Sequence, residues 1–136
     1  MSLFVDTSVW SLLFRRDAAP FSSEARALQR ALEDGTEVVT TGLVLQELLQ
    51  GFTGPKARDQ LVDRFSAIPF VSPDRSDHIA AAEIRNVCRR SGVQLGTIDA
   101  LLAQLCIRHR LSMLTADGDF SHAAKVVPLK LWQDAG

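Results

Sequence analysis

The sequence predicts an α/β domain built on a mostly parallel central sheet. Short apolar or β-branched runs alternate along the chain with longer stretches of helical period, a pattern that places helices on the connections between parallel strands. No internal repeat or low-complexity linker interrupts the alternation. The 136 residues, 46% of them apolar, fit a single domain over 1–136, burying roughly 70% of the surface its unfolded chain exposes.

The first element is "LFV", residues 3–5, a short buried strand. After Asp6 it gives way to the helical spacing of Val9, Trp10, Leu12, Leu13 and Phe14. Pro20 breaks the pattern, and Ser22 or Ser23 can cap a second helix with Phe21, Ala25, Leu28 and Leu32 on one face and Gly35 at its end. "TEVVTT" is a strand at 36–41 that feeds a helix at about 43–53, and Pro55 opens a helix carrying Ala57, Leu61, Val62 and Phe65. "IPFV" is the third strand. From Asp74 to Gly92 an amphipathic helix turns Ile79, Ile84, Val87 and Cys88 inward and Arg85, Arg89 and Arg90 outward. "GTIDALLAQLCIRHRL" is a helix apolar on nearly every side, "SMLTA" is a strand, and "VVPLKLW" is a last short strand interrupted by Pro128.

Composition excludes several function classes. A net charge of −1 with 23% charged residues gives no disordered tail, no polybasic segment and no bulk attraction to nucleic acid or membrane. Cys88 and Cys106 lie in apolar helical patterns without metal-ligand spacing and read as reduced core thiols. The N-terminus has no basic region and carries Asp6 within its apolar stretch, and no run approaches the roughly 18 apolar residues of a membrane span, so the expectation is a cytoplasmic protein. His78, His109 and His122 are scattered, with no Ser or Cys motif beside them to build a triad.

The acids are placed less randomly. Asp6 ends the first strand, Asp117 follows "SMLT", and Glu47 lies on the helix after "EVVTT". Strand ends in a parallel sheet share one rim, where sites form. Asp99 lies in the first turn of its helix with Leu102, Ala103 and Cys106 one turn on, and a carboxylate in apolar company is costly unless it is paired or binds a cation. Taken singly, each acid also has a simpler role. Asp6, Thr7 or Ser8 could cap the first helix, Thr97 could cap the helix of Asp99, Glu47 could face solvent, and "ADGD" is a good turn sequence.

Together, "VDTSVW", "LVLQELLQG", "GTIDALLAQLCIRH" and "LTADGDF" resemble the four signature segments of PIN-domain nucleases, and most resemble the VapC toxins of bacterial toxin–antitoxin pairs. The resemblance runs from about residue 3 to residue 131, in family order and at family spacing. It implies a three-layer α/β/α domain whose metal-binding acids fall on Asp6, Glu47, Asp99 and Asp117, with Asp119 auxiliary. Which of Asp117 and Asp119 holds the metal directly stays open. Thr7, Ser8 and Thr115 match hydroxyl positions that support the acids.

An all-oxygen donor set favours Mg²⁺ or Mn²⁺, one or two ions. The activity implied is metal-dependent endoribonuclease cleavage, held in check by a cognate VapB-type antitoxin, in a homodimer. The phosphate backbone then needs only a local basic rim, for which Arg15, Arg16, Arg85, Arg89 and Arg90 are the candidates, although each could simply belong to a solvated face. Other readings are a PIN nuclease of RNA maturation or decay without an antitoxin, and a non-catalytic Mg²⁺-binding module that binds RNA or resembles a phosphoryl receiver. A receiver wants an acidic pair at the first strand and a phosphoacceptor at the third, whereas "VDTS" has one acid and "IPFVS" none.

Overall fold

The computed structural model describes residues 1–15 and 22–134. Arg16, Pro20 and Phe21 lie outside the described residues. The elements in chain order are β1 (Leu3–Val5), α1 (Thr7–Phe14), α2 (Ser23–Asp34), β2 (Val38–Val39), α3 (Gly42–Gly51), α4 (Pro55–Phe65), α5 (Arg75–Arg90), α6 (Thr97–His109), β3 (Ser112–Leu114) and α7 (Gly118–Ala123). The strands form one parallel sheet in the order β2-β1-β3. Register pairs Val5 with Leu114, and the Asp6 N–H donates to the Leu114 carbonyl at 3.1 Å. The carboxyl ends of the two strands therefore release Asp6 and Thr115 side by side.

Local chemistry explains where the helices start and stop. The Ser22 hydroxyl accepts from the Ala25 N–H at 3.1 Å and caps α2, and Gly35 closes that helix at φ 79°, in the left-handed region that glycine enters without penalty. Asp74 and Asp77 form a capping box on α5, each carboxylate accepting from the other's backbone N–H, at 3.0 and 2.9 Å. The core beneath is continuous: Phe4, Trp10, Leu28, Leu48, Leu102 and Met113 are buried together, and Trp10 lies 4.7 Å from Phe65 between ring centres. Cys88 and Cys106 are free buried thiols, as the sequence predicts.

Several sequence expectations need correction. "IPFV" is not a strand but a single parallel bridge between Thr40 and Phe70, because Pro69 has no N–H to extend the ladder. "VVPLKLW" is likewise reduced to one bridge between Met113 and Leu131, downstream of Pro128. The strand expected over 36–41 shortens to Val38–Val39, and the helix expected at 43–53 is Gly42–Gly51. Ile79 and Val62 are exposed rather than inward, at 60% and 42%. Gly96, not Thr97, occupies the cap position of α6, and "ADGD" begins the helix α7 rather than a simple turn.

A buried ion pair absent from the sequence reading fastens α5 to α6. Asp77 is fully buried and accepts from Arg108 Nε and Nη2 at 2.8 and 2.7 Å and from Gln104 Nε2 at 3.2 Å. Burial alone drives the Asp77 carboxyl upward, but the guanidinium, the Asp74 N–H and the Gln104 amide overcome it and hold it at about 2. Its stabilisation is therefore present above the ordinary value of 3.8 and is lost as pH falls toward about 2. Arg108→Ala takes the charged partner from a buried carboxylate and is expected to destabilise the fold. In urea denaturation across pH, the gap between wild type and variant should narrow as pH falls below about 3.8. A small gap that stays constant with pH contradicts the pairing.

Candidate active site

Asp6 stands at the cap position of α1, yet its carboxylate makes no capping hydrogen bond. Both of its oxygens are instead taken by hydroxyls: Ser8 Oγ donates to Oδ1 at 2.6 Å and Thr115 Oγ1 to Oδ2 at 2.8 Å. Each hydroxyl also accepts from the loop after β3. The Ala116 N–H donates to Ser8 Oγ and the Asp117 N–H to Thr115 Oγ1, both at 3.0 Å. The hydroxyl groups thus orient Asp6 and stitch the 115–117 loop to the first turn of α1. Burial pushes the Asp6 carboxyl above its ordinary value. The Ser8 and Thr115 hydroxyls and the Val9 N–H, which falls short of cap geometry, work to lower it, and the Asp117 carboxylate adds to the rise.

Asp99 faces the same rim from the first turn of α6. Its carboxyl is raised to about 6, first by burial and then by the negative charges of Asp117, Asp6, Glu47 and Asp119, in that order. Carboxylates carried by the end of β1, by α3, by α6 and by the loop into α7 therefore act on one point. Asp117 acts on Asp99 more strongly than Asp119 does, and it acts on Asp6 as well. The Asp117 carboxylate also accepts from the Asp119 N–H at 2.9 Å, which caps α7. Glu47 is exposed and is steadied by Thr7 Oγ1, which donates to it at 2.9 Å.

Among the described residues no arginine, lysine or histidine forms an ion pair with Asp6, Glu47, Asp99, Asp117 or Asp119. Among the described residues, too, no three acidic, histidine or cysteine side chains are drawn together tightly enough to grip one ion. The donors are all oxygens, pre-oriented and short of positive charge, which suits a hard divalent cation. His78, His109 and His122 are not among the groups that act most strongly on Asp6 or Asp99.

Of the expected basic rim, Arg85 and Arg89 line a cavity of about 420 Å³ together with Gly96 and Asp119. Arg90 is exposed at the end of α5, and Arg15 is exposed at the end of α1. The bond from Ala116 to Ser8 spans 108 positions, and no local signal could have announced it.

The PIN domain family model matches residues 3–126. Ribonuclease VapC11 of Mycobacterium tuberculosis is 28% identical over 130 residues, which cover 94% of this chain and 96% of that one. Among solved structures, VapBC2 from Rickettsia felis, bound to a DNA fragment from its promoter, superposes with a TM-score of 0.73 at 18% identity, over 97% of this chain and 98% of that one. VapC20 of Mycobacterium tuberculosis, a toxin that cleaves the sarcin-ricin loop, gives a TM-score of 0.69 at 23% identity, over 95% of this chain and 99% of that one. Parallel strands that release their acids to one rim and a family match over most of the length lead to one conclusion: the chain belongs to the PIN-domain family.

Proposed function

We propose that this chain is a metal-dependent endoribonuclease, the toxin of a VapBC-type pair. In this reading Asp6, Glu47, Asp99 and Asp117 hold one or two Mg²⁺ or Mn²⁺ ions, with Asp119 assisting. The observation that carries it is the convergence on half-buried Asp99 of acids from separate elements, none of them ion-paired among the described residues. The ribonuclease name of its relative and the toxin–antitoxin assembly among its structural neighbours support the substrate and the partner. A cognate VapB-type antitoxin, a homodimeric state and a cytoplasmic location belong to the same reading. No helix among the described residues is long and apolar enough to cross a membrane.

Such an ion, when bound, supplies Lewis-acid polarisation of a phosphodiester, a lowered pKa for the attacking water and neutralisation of the leaving oxygen. The chain's own residues supply position. Asp6 is held in one orientation by Ser8 and Thr115, so it costs little reorganisation to use. Thr7 turns Glu47 toward the rim from the neighbouring helix. Asp99 must lose its proton to act as a ligand, so ion binding should weaken as pH falls.

The Asp99 carboxyl, raised from 3.8 to about 6 in the fold, contributes stability below 3.8 that is lost as pH rises through about 6. In EDTA above that pH, Asp99→Asn should therefore melt at the same or a higher temperature than wild type. The gain is at most about 1–2 kcal/mol after solvent screening, while activity and Mn²⁺ binding are lost. A variant that melts lower, together with a wild type whose melting temperature ignores Mn²⁺, makes Asp99 a first-turn acid held by the helix dipole and removes the site.

The products identify the nucleophile. If water attacks phosphorus, the RNA 2′-hydroxyl is not consumed and the ends are a 5′-phosphate and a 3′-hydroxyl. EDTA should abolish cleavage and Mg²⁺ or Mn²⁺ restore it, and a folded variant lacking His78, His109 and His122 should give the same ends. A 2′,3′-cyclic phosphate, or cleavage that survives EDTA, contradicts the mechanism.

A further inference from the structure

Two cavities adjoin along the loop that joins α5 to α6. The first, of about 420 Å³, is lined by Arg85, Arg89, Gln94, Gly96 and Asp119, and the second, of about 580 Å³, by Gln94, Asp119, His122 and Lys125. Both volumes fall within the roughly 300–1,000 Å³ typical of ligand clefts. Gln94 and Asp119 line both, so together they make a trough with arginines on the α5 side and His122 and Lys125 on the α7 side. One wall touches the acid cluster: a Cβ added at Gly96 would lie 3.8 Å from Asp99 Oδ2.

The loop under the trough is fixed. Arg85 Nε donates to the Leu95 carbonyl at 3.0 Å, the Val93 N–H to the Cys88 carbonyl at 2.8 Å, and Leu95 is buried in the core. Using Nε in this way leaves both Nη groups of Arg85 for an oxyanion. Arg89 lies one helical turn further along the same face. Among the described residues neither arginine forms an ion pair.

We propose that this trough carries the RNA backbone next to the cut, with Arg85 and Arg89 gripping a phosphate adjacent to the scissile one and Lys125 continuing the track. This deepens the endoribonuclease reading and rests on it. A rim of converging carboxylates repels a polyanion, and a chain of net charge −1 has no overall field to offset that, so the flanking phosphates must be held locally. The trough provides cations that form no ion pair among the described residues, along a wall that reaches Asp99 through Gly96. It also narrows the expected arginines to the half-buried Arg85 and to Arg89, exposed near the end of α5, which line the cavity, whereas Arg15 and Arg90 do not line it.

The test measures kcat and KM of the full-length protein with Mn²⁺ on an end-labelled pool of random 12-nucleotide RNA, between 50 and 200 mM salt. Arg85→Gln and Arg89→Gln should each raise KM roughly tenfold and change kcat by less than about threefold. Each should also make the salt dependence of log(1/KM) shallower by about 0.7. Unchanged melting temperatures confirm folding, and the Arg89 side chain has no bond to the loop, so its variant cannot act through loop position. Arg30→Gln, at the opposite, amino-terminal end of the strands near Met1 and Ser112, should match wild type. If wild type cuts the pool while both α5 variants match Arg30→Gln in KM and salt slope, the trough does not carry RNA and the endoribonuclease reading stands. A loss confined to kcat also overturns the inference, since the arginines would then act on the acids rather than on RNA. A wild type that neither binds nor cuts the pool removes the endoribonuclease reading and the trough with it.

Discussion

Repulsion among carboxylates that share one rim is the constraint on which the arrangement of this molecule depends. Bringing Asp6, Glu47, Asp99 and Asp117 to act on one another costs free energy that a fold without function would avoid, as the raised carboxyl of Asp99 records. The chain tolerates this because the acids stand on separate, well-anchored elements. Asp6 is fixed by the sheet, by two hydroxyls and, through them, by the 115–117 loop. The parallel register that sets Val5 beside Leu114 makes this possible, since it delivers Asp6 and Thr115 to the same place from distant parts of the sequence.

The two buried acids among the described residues, Asp6 and Asp77, show opposite solutions to one problem. Asp77 is sealed inside and matched by Arg108, Gln104 and a backbone N–H, so its charge is satisfied by the protein and serves to lock α5 against α6. Asp6 is offered hydroxyls but, among the described residues, no ion-pair partner, and its charge is left for something from outside. Carboxylates compensated within the chain hold it together, while those left uncompensated are the ones proposed to do chemistry. The unpaired arginines along the trough beside Asp99 extend the same division to the substrate side.

How far all this was legible in the sequence varied with the range of the interactions involved. Local signals worked: the alternation of strand and helix patterns led to the parallel α/β class, and Ser22, Gly35, Asp74 and Gly92 mark real helix ends. Period-based readings failed where one backbone group decides the outcome. Pro69 prevents an apolar run from extending its bridge into a strand, and the turn residues of "ADGD" act instead as the cap of α7. Ile79 fits the helical period of a buried face and is nonetheless exposed. For the site, strand ends and apolar company pointed to Asp6, Asp117 and Asp99. Glu47, on the helix after "EVVTT", stood with them although its position alone is uninformative, and the resemblance to PIN nucleases gave it a role. The greater weight of Asp117 over Asp119, the Ser8–Ala116 link and the choice among the arginines all depend on contacts between distant segments, which no local pattern encodes.

The claim underneath the whole account is that the acid cluster is a cation site whose occupation displaces a proton from Asp99. Calorimetric titration of the protein with Mn²⁺ in two buffers of different ionisation enthalpy measures that proton directly. With the Asp99 carboxyl at about 6, binding near pH 6 should release a substantial fraction of a proton, binding near pH 8 should release almost none, and Asp99→Asn should diminish both affinity and release. Absence of saturable Mn²⁺ binding, or binding near pH 6 with no proton released, would contradict it.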